Sequence, residues 1–524
     1  MKQTMSRFFK MLPWLVLALS LAFSLFLYAR YGENTLDSDQ SSDFVQASHL
    51  NQKGALLSKE WFYSTELNTV SPIPIYQLGL LLFRSWHHAR IFSIMIIAAA
   101  TIASFLYAAR QIGCREEAIY CAACFILPFS KVHSFLFSWG GFYSMYLILC
   151  CISLGLLLSI GRPTYRWIKF LLLIIIGVLL GTAGVRVFMF FSIPFVIAAL
   201  LTRAQTAPAS LCEYPQTFWF PIASVLFFFS NFIGYLINLL VLSPMYHFRQ
   251  YGSLITKSFQ VSEFFKHIDA LVSYLGFHDN STLLSLDGGI GFLLIILAFA
   301  TIIVPIVLIL NPSLSPVKKI VPWFALSASL FLWIIDSMAV GYSATPYAVG
   351  YYMMGILFAL LSIFMLIQQL NFSVFLRTLI MLAVTVLFGL NTVSYVQHDI
   401  PGHELQQAKA ATWLTENGYT QGYATFWNGN LLTELSDGKL DVVLYASWKS
   451  RKPYEWMQTI QHVNAPLEGK AFLYTDIDEI ANYPSPCMSE DLLVYSDGNV
   501  RIYAFDDGQT VYLKQLNQYA EPTP

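Results

Sequence analysis

The sequence predicts a polytopic α-helical membrane protein with about eleven transmembrane helices and a C-terminal extracytoplasmic α/β domain. Hydrophobic residues make up 56% of the 524 positions and charged residues only 12%, and the mean hydropathy is +0.57. An ordinary soluble domain is about a quarter charged. Apolar runs of membrane-spanning length recur up to residue 395, and the composition then becomes polar. This composition indicates a chain that lies in a lipid bilayer. The formal net charge of −1 and the scattered basic residues argue against a nucleic-acid partner.

The first apolar run, residues 11–29, follows Lys2, Arg7 and Lys10. It is longer than a signal-peptide core and lacks a small-residue cleavage site, so we expect it to remain as an anchor with a cytoplasmic N-terminus. The other runs long enough to span are 90–110, 117–132, 139–160, 167–184, 187–203, 217–242, 289–310, 320–340, 349–368 and 373–395.

Lysine and arginine residues orient these spans, because cytoplasmic connections carry an excess of them. The connections that this rule places inside contain Arg110, Arg115, Arg162, Arg166, Lys169, Arg203, Lys318, Lys319 and Arg377. The outer segments are then 31–88, the turn 133–138, 243–288 and everything after about residue 396. The chain divides into a multi-span domain, 1–395, and an extracytoplasmic domain, 396–524. Few glycosylation sequons and no organelle-retention signal favour a bacterial plasma membrane.

The C-terminal domain combines a helix-like stretch, 403–418, with short strand candidates at 423–427, 439–446, 470–475 and 500–505. Apolar segments of this length between polar turns are typical of a small α/β domain.

The stretch LDSDQSSDF, residues 36–44, places Asp37, Asp39 and Asp43 directly after the first anchor. A solvated loop start explains such acids as well as a functional site does. Two features favour function. The loop 31–88 is far longer than the usual connection, and it contains aromatic residues, prolines and a half-length apolar run, 73–83.

Four more ionisable residues are candidates for a binding site. Arg186 lies in TAGVRVFMFF between two apolar runs, where it either binds an anionic group or only reaches the lipid headgroups. Lys131 and His133 lie in the outer turn PFSKVHSF, as substrate-binding groups or as ordinary interfacial residues. Asp336 lies near the outer end of a span, where it lines a cavity or reaches water.

The acidic motif SDQSSDF (38–44), the Gly-rich stretch GVLLGTAGVRVFMFFSIPF (177–195) and the whole-chain topology resemble the GT-C superfamily of integral membrane glycosyltransferases. This superfamily includes protein O-mannosyltransferases, lipid A aminoarabinose transferases and oligosaccharyltransferases. Its usual loop motif is an Asp-Glu or Glu-Asp pair, whereas Gln40 follows Asp39 here. The resemblance therefore does not settle which aspartate is the working one.

The resemblance implies that a hexosyl or pentosyl group moves with inversion from a polyprenyl-phosphate donor to a lipid, glycan or protein acceptor at the outer face of the membrane. Asp39 is then the carboxylate that takes the acceptor proton, with Asp37 as the second catalytic residue, in a catalytic loop, 31–88. Asp43, Lys131, His133, Arg186 and Asp336 are the candidate substrate-binding residues. A divalent cation, Mg²⁺ or Mn²⁺, is left open, with Asp37 and Asp39 as its candidate ligands.

Two other classes of protein also fit part of the pattern. A flippase or polymerase of polyprenyl-linked glycans handles the same lipid without needing the acidic loop. A secondary transporter would show an internal repeat and interrupted helices, and neither is visible in the sequence.

Overall fold

The computed structural model of this chain is mainly helical up to residue 398 and mixed α/β beyond it. It describes residues 2–67, 69–206, 215–248, 258–277, 282, 284–338, 353–402, 404–482, 485 and 487–517. The helices of the first part are Lys2–Tyr31, Ser38–Lys53, Ile73–Leu82, Trp86–Ile112, Arg115–Phe125, Ser144–Ser159, Arg166–Thr182, Ile193–Ala204, Pro215–Ile237, Val261–Tyr274, Leu286–Leu310, Pro316–Met338, Met353–Gln369 and Val374–His398.

Within the described residues, six helices are long and apolar enough to cross a membrane. Their apolar segments are Phe9–Thr35, Trp86–Ile112, Phe218–Leu242, Leu286–Leu310, Pro316–Ile335 and Val374–His398. The remaining predicted spans overlap shorter helices of the same bundle. A helix satisfies its own backbone hydrogen bonds, and this explains why apolar runs of such length adopt it. The predicted polytopic helical class is confirmed.

Glycines allow the helix before Arg186 to pack closely on its neighbour. A Cβ atom on Gly181 would lie 2.0 Å from the carbonyl oxygen of Asn231, and one on Gly234 would lie 2.0 Å from that of Val178. The side chain of Asn238 also donates to the carbonyl oxygen of Thr182 at 2.6 Å. Small residues with polar side-chain contacts are typical of packing between apolar helices, and here they fix the turn that carries Arg186.

The C-terminal region contains a five-stranded sheet, and helices precede, separate and follow its strands along the chain. Its strands are β2 (Gln421–Thr425), β3 (Asp441–Tyr445), β5 (Ala471–Asp476), β6 (Leu493–Asp497) and β7 (Val500–Phe505), and its helices are Gln406–Glu416, Phe426–Leu435, Ile460–Asn464, Ile477–Asn482 and Gln509–Asn517. The order is β3-β2-β5-β7-β6, with β3, β2 and β5 parallel and the last two pairs antiparallel. The predicted α/β character is confirmed. Phe426 and Trp427, predicted to be part of a strand, instead begin the helix after β2.

The loop after the first helix is joined to the C-terminal region by a second, two-stranded sheet. Strand β1 (Trp61–Phe62) pairs antiparallel with β4 (Gln458–Thr459). Nearby, the backbone N–H of Tyr63 donates to the carbonyl oxygen of His247 at 2.8 Å. The long loop is therefore a structured layer between the helix bundle and the C-terminal region.

Candidate functional site

The three aspartates of LDSDQSSDF lie at the start of one helix, Ser38–Lys53, which we call the acidic helix. Asp37 is its N-cap, and its carboxylate accepts a hydrogen bond from the backbone N–H of Gln40 at 3.0 Å. Asp39 is half-buried in the first turn, and Asp43 is buried one turn further. Residues four apart share a helix face, so Asp39 and Asp43 lie on the same side. The helix begins at Ser38, directly after this N-cap.

Two of these carboxyl groups resist ionisation. Burial, together with the neighbouring Asp39 carboxylate, raises the pKa of Asp37 to about 7. Burial raises the pKa of Asp43 to about 8; the Arg90 guanidinium opposes this shift, while the charges of Asp39, Glu66 and Asp37 add to it. A carboxyl group with a pKa near neutrality exchanges protons readily at physiological pH, as acid–base chemistry requires.

Two parts of the chain hold the acidic helix in place. The side chain of Ser38 donates to the carbonyl oxygen of Phe426, and Asn430 donates to the Ser42 hydroxyl at 2.6 Å. On another side, Gly140 packs so closely that a Cβ atom there would lie 2.8 Å from the Gln40 side chain. The acids are therefore fixed between the helix bundle and the helix Phe426–Leu435.

Arg90 connects the acidic helix to the C-terminal region. Its guanidinium donates to both carboxylate oxygens of Glu434, at 2.6 and 2.7 Å, and to the carbonyl oxygen of Gln40 at 3.1 Å. It also lies 4.3 Å from the centre of the Phe44 ring. Sequence reasoning missed Arg90 and Glu434, although an arginine at the first position of a predicted span, after two histidines, is the kind of signal that could have found it.

Arg186 lies in a second charged cluster with an acid of the same long loop. Its guanidinium donates to Glu66 at 3.1 Å, to the Thr65 hydroxyl at 2.8 Å and to the Tyr143 hydroxyl at 3.5 Å. The other Glu66 oxygen accepts a hydrogen bond from Tyr146 at 3.0 Å. Because Glu66 also contributes to the raised pKa of Asp43, the two clusters lie within electrostatic reach of each other. Glu66 was missed because a single acid in a loop has no sequence pattern.

Lys131 and His133 have different surroundings. Lys131 is exposed at the start of a single helical turn, Lys131–His133. His133 is fully buried, stacked on Phe129 at 3.9 Å, and its two ring nitrogens lie 2.8 Å from the Tyr274 hydroxyl and 2.7 Å from the Phe125 carbonyl oxygen. Burial lowers the pKa of His133 to about 3. These contacts favour a packing role for His133 over substrate binding.

Asp336 lies in the helix Pro316–Met338, but its side chain is outside the described part of the structure. A metal site was also left open, with Asp37 and Asp39 as ligands. Among the described residues, no three histidine, cysteine, aspartate or glutamate side chains are grouped closely enough to hold a metal ion. The described residues thus do not make a three-ligand cation site.

The fold and site can be compared with known proteins. No protein-family model matches the chain, and no curated protein matches it significantly in sequence. Three solved structures of the oligosaccharyltransferase of Archaeoglobus fulgidus are similar in overall fold. The complex with zinc and sulfate has a TM-score of 0.48 and 14% identity over 88% of this chain and 68% of that one.

The other two structures give similar values. The apo form has a TM-score of 0.46 and 11% identity over 90% of this chain and 70% of that one. The form tethered to an acceptor peptide with the NVT sequon has a TM-score of 0.45 and 12% identity over 90% and 69%. At this level of similarity the likeness concerns overall layout alone.

Proposed function

We propose that this protein is an inverting glycosyltransferase that moves a hexosyl or pentosyl group from a polyprenyl-phosphate donor to an acceptor at the outer face of a plasma membrane. The observation that carries the proposal is the acidic helix. It holds three carboxyl groups at the end of the first apolar helix, two of them with pKa values near neutrality, and the C-terminal region fixes it in place. A lipid-linked donor keeps its anomeric carbon at such a depth.

Asp39 is the proposed general base. In the reaction, the acceptor hydroxyl or amide attacks the anomeric carbon, a bond from that carbon to the acceptor forms, and the bond to the phosphate oxygen breaks. The electron pair of the broken bond leaves with the lipid phosphate, and Asp39 takes the acceptor proton. General-base assistance of this kind is worth about 10²–10⁴ in rate. One displacement inverts the anomeric carbon and needs no carboxylate nucleophile.

Asp37 and Asp43 support Asp39 in this proposal. Asp37 caps the helix that carries Asp39, and its pKa of about 7 makes it the second candidate for the base. Asp43 shares the helix face of Asp39 and would bind the acceptor. The acceptor is a lipid, a glycan or a protein.

Arg186 would bind the phosphate of the donor. Its side chain is 19% exposed, so it is not sealed off from an incoming anion. Two N–H groups of one guanidinium match two phosphate oxygens, which a lysine cannot reproduce. Lys131 is exposed and would add a second positive charge, and Asp336 stays a candidate for the cavity wall. The N-terminus would be cytoplasmic and the C-terminal region extracytoplasmic. The bacterial source expected from the sequence remains a prediction, since the similar solved structures are archaeal.

The test is sugar transfer by membranes that carry Asp39→Asn, Asp43→Asn or the control Glu60→Gln. A panel of polyprenyl-phosphate hexoses and pentoses serves as donor, and release of polyprenyl phosphate is measured. Asn keeps the shape of Asp39 and removes its basicity, so we expect a loss of about 10²-fold or more. Asp43→Asn should reduce the rate of transfer less. Glu60→Gln should leave the rate unchanged, because Glu60 is exposed beside Lys53. A wild-type rate in Asp39→Asn would refute the assignment, and a flippase or transporter would release no polyprenyl phosphate from any of the donors.

A further inference from the structure

Glu66 and Arg186 form an ion pair from two distant parts of the chain. Their charged atoms are 3.1 Å apart, and the side chains are 15% and 19% exposed. The pair is thus shielded by protein on most sides and open to a ligand on the rest. An ion pair that only stabilises the fold does not need to lie where a ligand can reach it. The partial exposure of this pair therefore suggests a further role.

The two oxygens of Glu66 have different partners. Oε1 accepts from Arg186, and Oε2 accepts from the hydroxyl of Tyr146, which is buried. If Oε1 lost the arginine, Tyr146 would still hold Oε2. Glu66 can therefore release the guanidinium while its own side chain remains anchored.

The present partners of Arg186 occupy the donors that a phosphate would need. Its terminal nitrogens point to Glu66 and Thr65, from neighbouring positions of the same loop. A phosphate bound by both nitrogens would lie next to the Glu66 carboxylate, and two negative charges in contact repel each other. The carboxylate and the phosphate thus compete for one guanidinium.

From this geometry we propose that Glu66 is a positioning residue that occupies Arg186 until the donor binds, when the donor phosphate takes its place. The inference rests on the proposed function, since it takes Arg186 as the phosphate-binding residue. Glu66 keeps the guanidinium ordered before binding, and the exchange gives that guanidinium a phosphate partner in place of a carboxylate.

The exchange also connects donor binding to the acidic helix. Glu66 already disfavours ionisation of Asp43. Released from Arg186, the Glu66 carboxylate would act on Asp43 without its guanidinium partner, and the added phosphate charge would act in the same direction. Donor binding should then be accompanied by proton uptake near the acidic helix.

The experiment measures binding of polyprenyl monophosphate, and separately of inorganic phosphate, to the purified full-length chain in lipid nanodiscs. The variants are Glu66→Gln, Arg186→Ala and the double variant, with Glu60→Gln as the control. Glu60 belongs to the same loop and carries the same charge, but its side chain is 64% exposed and pairs with Lys53. Thermal unfolding of each variant is recorded in parallel.

We expect Glu66→Gln to bind polyprenyl monophosphate about tenfold more tightly than the wild type, because a competing like charge is removed. Arg186→Ala should lose binding, and adding Glu66→Gln to it should restore nothing. Tighter binding of inorganic phosphate as well would show that the headgroup alone drives the exchange. Equal or weaker binding by Glu66→Gln, with or without lowered thermal stability, would overturn the inference.

The binding experiment tests the exchange at Arg186 separately from the proposed glycosyltransferase activity. A tenfold effect of Glu66→Gln on binding, in a protein that transfers no sugar, would keep the exchange and reject the glycosyltransferase. Sugar transfer by the wild type with no binding effect in Glu66→Gln would reject the exchange alone.

Discussion

Arg90 and Glu434 are 344 positions apart in the chain and form a nearly inaccessible ion pair, with side chains 1% and 4% exposed. The guanidinium nitrogens Nε and Nη2 each donate to one carboxylate oxygen, at 2.6 and 2.7 Å. Nη2 also donates to the backbone carbonyl oxygen of Gln40 in the acidic helix. One side chain thus joins an apolar helix, the acidic helix and the C-terminal region.

Removal of Glu434 should destabilise the protein strongly. Glu434→Ala leaves the Arg90 charge buried without its partner, and the loss of one member of a buried pair costs about 3–5 kcal/mol. Thermal unfolding of the purified protein in detergent measures the effect. The control is Glu490→Ala, which breaks the exposed contact of Glu490 with Arg501 at 3.1 Å and should leave stability unchanged. Similar stability of the two variants would show that the buried pair does not hold the regions together.

Two substitutions separate the role of Asp37 as a helix N-cap from its role as an ionisable carboxyl group. Asp37→Ala removes the oxygen that caps the acidic helix, and loss of an N-cap costs about 1 kcal/mol. Asp37→Asn keeps a capping oxygen and should have nearly wild-type stability. Hydrogen exchange at the Gln40 amide, the donor to this cap, should be faster in the alanine variant only. Equal protection of this amide in both variants would contradict the capping role.

The stability of the protein should fall as the pH rises. The folded-state pKa values of Asp37 and Asp43 are raised from 3.8 to about 7 and about 8. The folded state therefore retains protons that the unfolded state has lost, and the stability from these groups disappears as pH rises through 7 and 8. The wild type should melt at a lower temperature at pH 9 than at pH 6, and Asp43→Asn should show a smaller difference. A melting temperature that does not change with pH would place these carboxylates in water.

The membrane orientation can be tested with single cysteines on exposed positions. The described native cysteines are buried, and Cys212, outside the described residues, would be replaced by serine. Lys59→Cys and Thr412→Cys should react with a membrane-impermeant maleimide in intact cells, whereas Ser313→Cys should react only after permeabilisation, because Lys318 and Lys319 keep that loop inside. Labelling of Ser313→Cys in intact cells would invert the orientation and remove the donor's access to the acidic helix.

The helices and the acidic cluster were predictable because their signals are local. Hydropathy over about 20 residues identifies a span without knowledge of its neighbours, and three acids after an anchor are visible in a single line of sequence. The start of the acidic helix was less certain. Asp37 fixes it as an N-cap, a signal that Ser, Thr, Asp and Asn all share and that several positions in this stretch could supply.

The contacts that complete the site were not predictable. Arg90 and Glu434 meet only when the C-terminal region packs on the bundle, and no periodicity reports a contact across 344 positions. The contact between Glu66 and Arg186 spans 120 positions, and it likewise depends on the packing of distant parts of the chain. The burial of His133 also depends on partners far along the chain, since Tyr274 comes from another helix.

Strand β1 implies an order of events during synthesis of the protein. Trp61 pairs with Thr459, so 398 further residues must leave the ribosome before the first strand has a partner. At about 5–20 residues per second, translation takes about 20–80 s to supply them. Throughout that interval the membrane already receives helices, while the acidic helix lacks the contacts from Phe426 and Asn430 that hold it. The nascent chain is therefore inserted into the membrane before its acidic helix is held in place. A chain released by a ribosome that stalls midway would lack these contacts and be inactive.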